Sequence, residues 1–231
     1  MNIDTILHNA QKLFLNPSEL YTYDAIILGT KVCGKTKVQK AVGKNTFRGF
    51  YRKAGFNRGA SAIFDPFFIT NKTKILSKLR KISTREEMDQ FSNTLREEIK
   101  KQLINVEERQ LESYNKTRKP IDLYIEHIVA MAAELSSSDR ARLMPTLFLP
   151  LDSWIFGADQ IFTETELRAH HLTRRSTYKD VLDRGIYMEL HEMTRKKAHD
   201  ISSCFYPIYF DLIWSDRYLR TNARNLFESN P

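Results

Sequence analysis

Four acidic residues fall in runs of apolar side chains, where a carboxylate has no solubilising purpose: Asp24, Asp65, Asp152 and Asp211. Asp211 lies in the aromatic run Tyr206 to Trp214, where burial raises a carboxyl pKa unless a cation or metal compensates. Asp65 and Asp211 are the candidate catalytic acids. They are also the candidate ligands for a magnesium ion (Mg2+) that would activate water. None of the four is followed two residues later by Lys, and Glu98-Ile99-Lys100 falls in a helical pattern that reads as surface charge. The stretch Gly29-Thr-Lys-Val-Cys-Gly34-Lys35-Thr36 fits GxxxxGK[ST] and follows an apolar run, so Lys35 and Thr36 are candidate phosphate and magnesium contacts of a nucleotide site. The segment after it leaves room for only a short helix before Gly43. Residues 71–145 offer no apolar strand runs for a parallel sheet, so a turn is the favoured reading. His170, His171, His191 and His199 read as surface residues.

The positive charge is concentrated in one place. From Lys31 to Lys81 there are fourteen basic residues against the single acid Asp65, a net of +13 in a chain whose total is +8, which leaves −5 for the rest. Such a segment attracts polyanions. Phe47, Phe50, Tyr51 and Phe56 alternate with Gly43, Gly49, Gly55 and Gly59 inside it, a composition that brings backbone and rings close to phosphates and bases. The expected nucleic-acid contacts are Lys35, Lys37, Lys40 and Lys44 on phosphates, with Arg48, Arg52, Lys53 and Arg58 nearer the grooves.

Within this segment Gly34-Lys35-Thr36-Lys37-Val38 resembles a G-[KR]-T-[KR]-V stretch near the start of some type II restriction endonucleases. The resemblance implies a homodimer that recognises a short sequence in double-stranded DNA through base-edge and phosphate contacts. The departure from the Glu/Asp-x-Lys pattern of many such nucleases leaves a metal-independent restriction DNA glycosylase as an alternative. A P-loop enzyme using Lys35 and Thr36, and a non-catalytic nucleic-acid-binding protein, are further alternatives. Glu164-Thr-Glu166 resembles the ExE pair of ADP-ribosyltransferases, but Thr163 with Glu166 reads as a helix-opening capping box.

Positioning these residues calls for a single domain, 1–231, of α+β class: a mixed or antiparallel sheet with a helical middle segment and flanking helices. Residues 23–69 are the expected basic, β-rich DNA-contacting module, with Ala25–Leu28 and Ala60–Ile69 as strands. Residues 71–145 are the helical segment, with a capping box at Thr84 and Glu87 and the stripe Met88, Phe91, Leu95, Ile99 and Leu103. The polar stretch 105–119 reads as a helix tail or exposed connection, and Pro120 as a helix start. Residues 146–231 close the fold with a long helix over 176–203, weakened at Gly185, and a late strand over 207–214. The N-terminus reads as an amphipathic helix rather than a signal peptide. No apolar run reaches membrane-span length. Cys33 and Cys204 lack metal or disulfide spacing, which fits free thiols and a cytoplasmic location.

Overall fold

The computed structural model describes residues 3–17, 19–32, 35–38, 40–56 and 59–213. At its centre is one helix buried on all sides. Ser113 caps its start by accepting a hydrogen bond from the Lys116 backbone N–H at 3.3 Å, and every residue from Tyr114 to Ala130 is buried. A helix covered all round must be the core around which the others pack.

In chain order the helices are α1 (Ile3–Phe14), α2 (Tyr23–Leu28), α3 (Ser61–Thr70), α4 (Lys72–Leu79), α5 (Arg85–Gln102), the central α6 (Tyr114–Met131), α7 (Ser137–Leu143), α8 (Ser153–Gly157), α9 (Glu164–Ala169) and α10 (Arg184–Ile201). The helices α1, α2, α5, α7 and α10 pack on α6, as does a 3-10 turn at Glu108–Leu111. Among the described residues no helix is long and apolar enough to cross a membrane.

The α+β expectation is overturned, because 63% of the structure is helical and 3% is strand. The strands β1 (Thr30–Val32) and β2 (Lys35–Val38) form one antiparallel ribbon, with Lys31 opposite Thr36 and Val32 opposite Lys35. The apolar run expected as a strand at 25–28 is α2, capped by the Thr22 hydroxyl and closed by Gly29 at φ 72°. The run at 60–69 is α3, which holds Phe64, Phe67 and Phe68 in the core. The late strand is a buried 3-10 helix, Pro207–Ile213, packed on α1, α8 and α10. A short continuous apolar run has no period to separate a central strand from a buried helix, and here burial on helical neighbours decided.

Two helix starts also differ. Pro120 is inside α6 rather than at its opening. It offers no N–H to the Lys116 carbonyl, a defect of about 3 kcal/mol that packing on every side offsets. The long helix over 176–203 begins only at Arg184, where the Asp183 carboxylate accepts from the Ile186 N–H at 2.9 Å. Gly185 is therefore in the first turn, where it weakens little.

The capped helices follow the sequence. Thr84 and Glu87 exchange side-chain to backbone bonds of 3.2 and 3.1 Å at the start of α5. Thr163 and Glu166 open α9 in the same way, so Glu164-Thr-Glu166 is a helix start. Glu98 and Lys100 lie on α5, with Glu98 on Lys74 at 2.8 Å, as the surface-charge reading expects.

Candidate nucleic-acid interface

The four aromatics of the basic segment divide into two jobs. Phe47 and Phe50 are buried and lean on each other at 5.9 Å and on Phe64 of α3 at 5.2 and 6.1 Å between ring centroids. Phe64 and Phe68 in turn meet Tyr124 of α6, at 6.4 and 4.1 Å. This chain of rings anchors the segment to the core. Tyr51 and Phe56 instead remain 57% and 41% exposed.

Backbone pairing holds those two rings in place. The Lys53 N–H donates to the Asn105 carbonyl at 3.0 Å and the Glu107 N–H to the Tyr51 carbonyl at 3.1 Å, around a bridge between Arg52 and Val106. Gly55, at φ 86°, supplies the turn that returns Phe56. The result is a groove of about 620 Å³ lined by Tyr51, Phe56, Arg52, Lys53, Arg109 and Glu107, with Ala54 and Gly55 at its turn. Lys44 and Arg48 are exposed on the run of chain that leads into it.

The expected phosphate contacts do not all reach a free surface. Lys40 is paired with Asp65. Lys35 and Lys37 belong to strand β2, and Thr36 with them. An antiparallel ribbon is not the strand-loop-helix context that a phosphate-binding loop requires, and Gly29 serves as the cap of α2. Arg58, Cys33 and Gly34 lie outside the described residues. Arg109 and Glu107 were missed, since a polar stretch far along the chain carries no sign that it will pair with residues 51–53.

The candidate acids belong to different elements. Asp65, on α3, is held by the Lys40 ammonium and the Tyr124 hydroxyl. Asp211 is fully buried in the 3-10 helix Pro207–Ile213. Asp24 pairs with Lys72 at 2.8 Å, and Asp152 caps α8 through the Trp154 and Ile155 N–H groups. Magnesium demands several oxygen ligands, usually including waters. One carboxylate occupied by a lysine and another sealed from solvent do not fit that ion, and no group of three or more His, Cys, Asp or Glu suited to a metal occurs among the described residues.

The polar stretch 105–119, expected as a helix tail or exposed connection, divides in two: Glu108, Arg109 and Glu112 are exposed, whereas 113–119 are buried and Arg118 among them centres an ionic core. Arg118 donates to Asp122 and Asp89, both at 2.8 Å, and to the Tyr114 hydroxyl at 3.0 Å. Arg184 reaches Asp89 at 2.6 Å, and the Tyr187 hydroxyl donates to Asp122 at 2.7 Å. Burial pushes the Asp122 carboxyl up to about 6 against the pull of Arg118 and Tyr187. Burial also works on Asp89, but there Arg118 and Arg184 win and hold the carboxyl below its usual range. His191 on α10 is fully buried against Tyr187 and Phe148. Burial, with Arg85 and Arg118 nearby, drives its pKa well down. His170 faces Glu189 at 3.2 Å, whereas His171 and His199 are exposed.

Two residues before Arg118 on α6, Lys116 is 3% exposed and donates to the Gln110 carbonyl oxygen, with its ammonium 5.2 Å from the Phe50 ring. Burial, then the nearby Lys179, lowers its pKa to about 8 against the opposing charge of Glu107. Lys119 pairs with Asp152 at 2.9 Å and lies 5.1 Å from the Tyr178 ring. The signal for these residues was the run Asn115-Lys-Thr-Arg-Lys119 directly before an apolar helix, with Arg118 and Asp122 one turn apart.

No protein-family model, curated protein or solved structure matches the chain.

Proposed function

We propose that this protein binds nucleic acid, with unstacked bases on Tyr51 and Phe56 and the phosphate backbone on Arg52, Lys53 and Arg109. The observation that carries this reading is that two exposed rings and three cations line one groove. Stacking on an aromatic face contributes about 1–3 kcal/mol per base and tolerates any sequence. Lysine and arginine contacts release counterions from the phosphates, which gives affinity and salt dependence together. Lys44 and Arg48 extend the positive track beyond the groove. Glu107, beside Arg109 at 2.8 Å, keeps that guanidinium oriented.

Cleavage of duplex DNA by a restriction-type homodimer is a narrower form of the same reading. Its support is the Gly34–Val38 resemblance, and it would need a hydrolytic centre other than a magnesium site at Asp65 and Asp211. A cytoplasmic setting rests on the cysteine usage alone.

The test is fluorescence anisotropy with labelled single-stranded and duplex oligonucleotides across a salt titration. Arg52→Ala with Lys53→Ala should weaken binding to every sequence and flatten the log–log salt slope by roughly 0.7–0.9 per lost phosphate contact. Tyr51→Ala with Phe56→Ala should weaken single-stranded binding more than tenfold and leave the slope unchanged. Unaltered affinity in both pairs would refute the groove as the interface.

A further inference from the structure

The groove holds one carboxylate among its cations. Glu107 lines it together with Arg52, Lys53 and Arg109, and a negative charge there works against phosphate binding. Local structure gives that carboxylate little else to do. Glu107 stands at the N-cap of the 3-10 helix Glu108–Leu111, yet its side chain caps none of the N–H groups there. Its Oε2 accepts from the Arg109 Nε at 2.8 Å, and its Oε1 has no partner among the described residues. The side chain is 33% exposed, against 92% for the neighbouring Glu108. Glu107 is therefore held against the groove, whereas Glu108 is solvated.

The bridge between Arg52 and Val106 sets Glu107 directly opposite Tyr51, where the Glu107 N–H meets the Tyr51 carbonyl at 3.1 Å. Residues opposite each other in an antiparallel pair project from the same face, with Cβ atoms about 5 Å apart. A base stacked on the Tyr51 ring can thus present an edge to the Glu107 carboxylate, leaving Phe56 for a neighbouring base.

An ionised carboxylate only accepts hydrogen bonds. Among the standard bases, guanine alone offers it two adjacent donors, N1–H and the N2 amine. Adenine and cytosine set an acceptor ring nitrogen beside their amino group, and thymine and uracil flank one N–H with two carbonyl oxygens. Each of these turns a lone pair toward the carboxylate. We propose that Glu107 selects an unpaired guanine, accepting from N1–H and N2–H while the base stacks on Tyr51. This rests on the nucleic-acid reading above and adds a base preference to it. Pairing with cytosine occupies the same two donors, so the guanine belongs to a single strand, a loop or a bulge. Stacking supplies affinity for any base, and the carboxylate supplies the choice among them. Arg109 is exposed and meets Glu107 only through Nε, which leaves its terminal nitrogens to the adjoining phosphate.

The experiment follows the full chain by anisotropy with short labelled oligothymidine or oligouridine strands carrying one central guanine, adenine, cytosine or hypoxanthine. Hypoxanthine is guanine without the N2 amine, and a 7-deazaguanine strand alters only the opposite edge of the base. The guanine strand should bind at least about tenfold tighter than the adenine or hypoxanthine strand, the scale of a hydrogen bond to a charged group. The 7-deazaguanine strand should match guanine, and the sugar series that binds tighter names the source of the strand. Glu107→Gln should erase the preference, because its amide sets a donor against the guanine donors, and should bind the other strands no more weakly than the parent. Equal affinity for guanine and hypoxanthine, or a guanine preference that persists in Glu107→Gln, would overturn the Glu107 assignment and leave the groove reading standing. The base series uses the parent protein alone, so it decides the matter even if the variant folds poorly. Absence of binding to every strand would overturn the groove reading itself.

Discussion

Arg118 is the residue on which the interior depends most. Its guanidinium neutralises Asp89 and Asp122 and lies 4.8 and 5.1 Å from the rings of Phe148 and Tyr187. Replacing it with Leu would leave the buried Asp122 without a cation and Asp89 with Arg184 alone, and a loss of about 3–5 kcal/mol is expected, read as a fall in the urea midpoint. Asp122 makes a pH-dependent prediction. Its folded pKa, about 6, is above the ordinary 3.8. Its protonated form therefore favours the folded state, and that contribution is full below pH 3.8 and fades as pH rises through 6. Asp122→Asn cannot ionise, so its stability relative to the parent should rise between those limits by roughly 3 kcal/mol at most. Denaturant curves across the window check the sign, and a relative fall would contradict it. At Gly49 the steric argument is local: Gly49→Ala should destabilise by about 1–3 kcal/mol by overpacking against Tyr178. Tyr178→Phe in the same chain should recover part of that loss, because the hydroxyl is the atom in the way.

Among the elements, α3 and α6 both carry an internal proline, with opposite consequences. Pro120 is buried in α6, so its ring is part of the packing. Pro66 is exposed on α3, where it lacks the N–H that would bond to Ala62 and packs little in return. Pro66→Ala should therefore stabilise the protein by about 1–2 kcal/mol, the helical defect less the extra freedom of the unfolded chain, measured as a higher Tm. The helices whose start signal was read in the sequence, α5 and α9, were legible before the structure, because Thr84 and Thr163 each bond to a backbone N–H three residues on. The segments read as strands were not. Tyr23–Leu28 and Pro207–Ile213 are too short to display a helical period, and their conformation is chosen by neighbours distant in sequence.

Across the whole molecule the basic run of 31–81 is only partly available to a polyanion. Lys72 ties α4 to Asp24 and Glu134 at 2.8 and 3.0 Å, Lys74 holds Glu98, and Lys40 holds Asp65. These lysines join elements, and Lys53 also reaches Glu108 at 3.8 Å, but Lys53 and Arg52 line the groove. Lys72→Ala should lower stability by about 0.5–1 kcal/mol and leave oligonucleotide affinity within twofold. Arg52→Ala with Lys53→Ala should do the reverse, and thermal melts beside anisotropy would separate the two classes.

Composition by itself determined that this chain concentrates its positive charge, mixes it with rings and glycines, and folds a capped, amphipathic middle. Those properties are local: a count, a period of 3.6, a hydroxyl three residues from an amide. Tertiary structure alone decided which rings face water, Tyr51 and Phe56 rather than Phe47 and Phe50, and which charges go inside. Asp89 meets Arg118 across 29 residues of chain and Arg184 across 95. A polar run such as Asn115–Lys119 reads as exposed because burying unpaired charge is costly. The partners that remove the cost are supplied by segments that only the fold brings together.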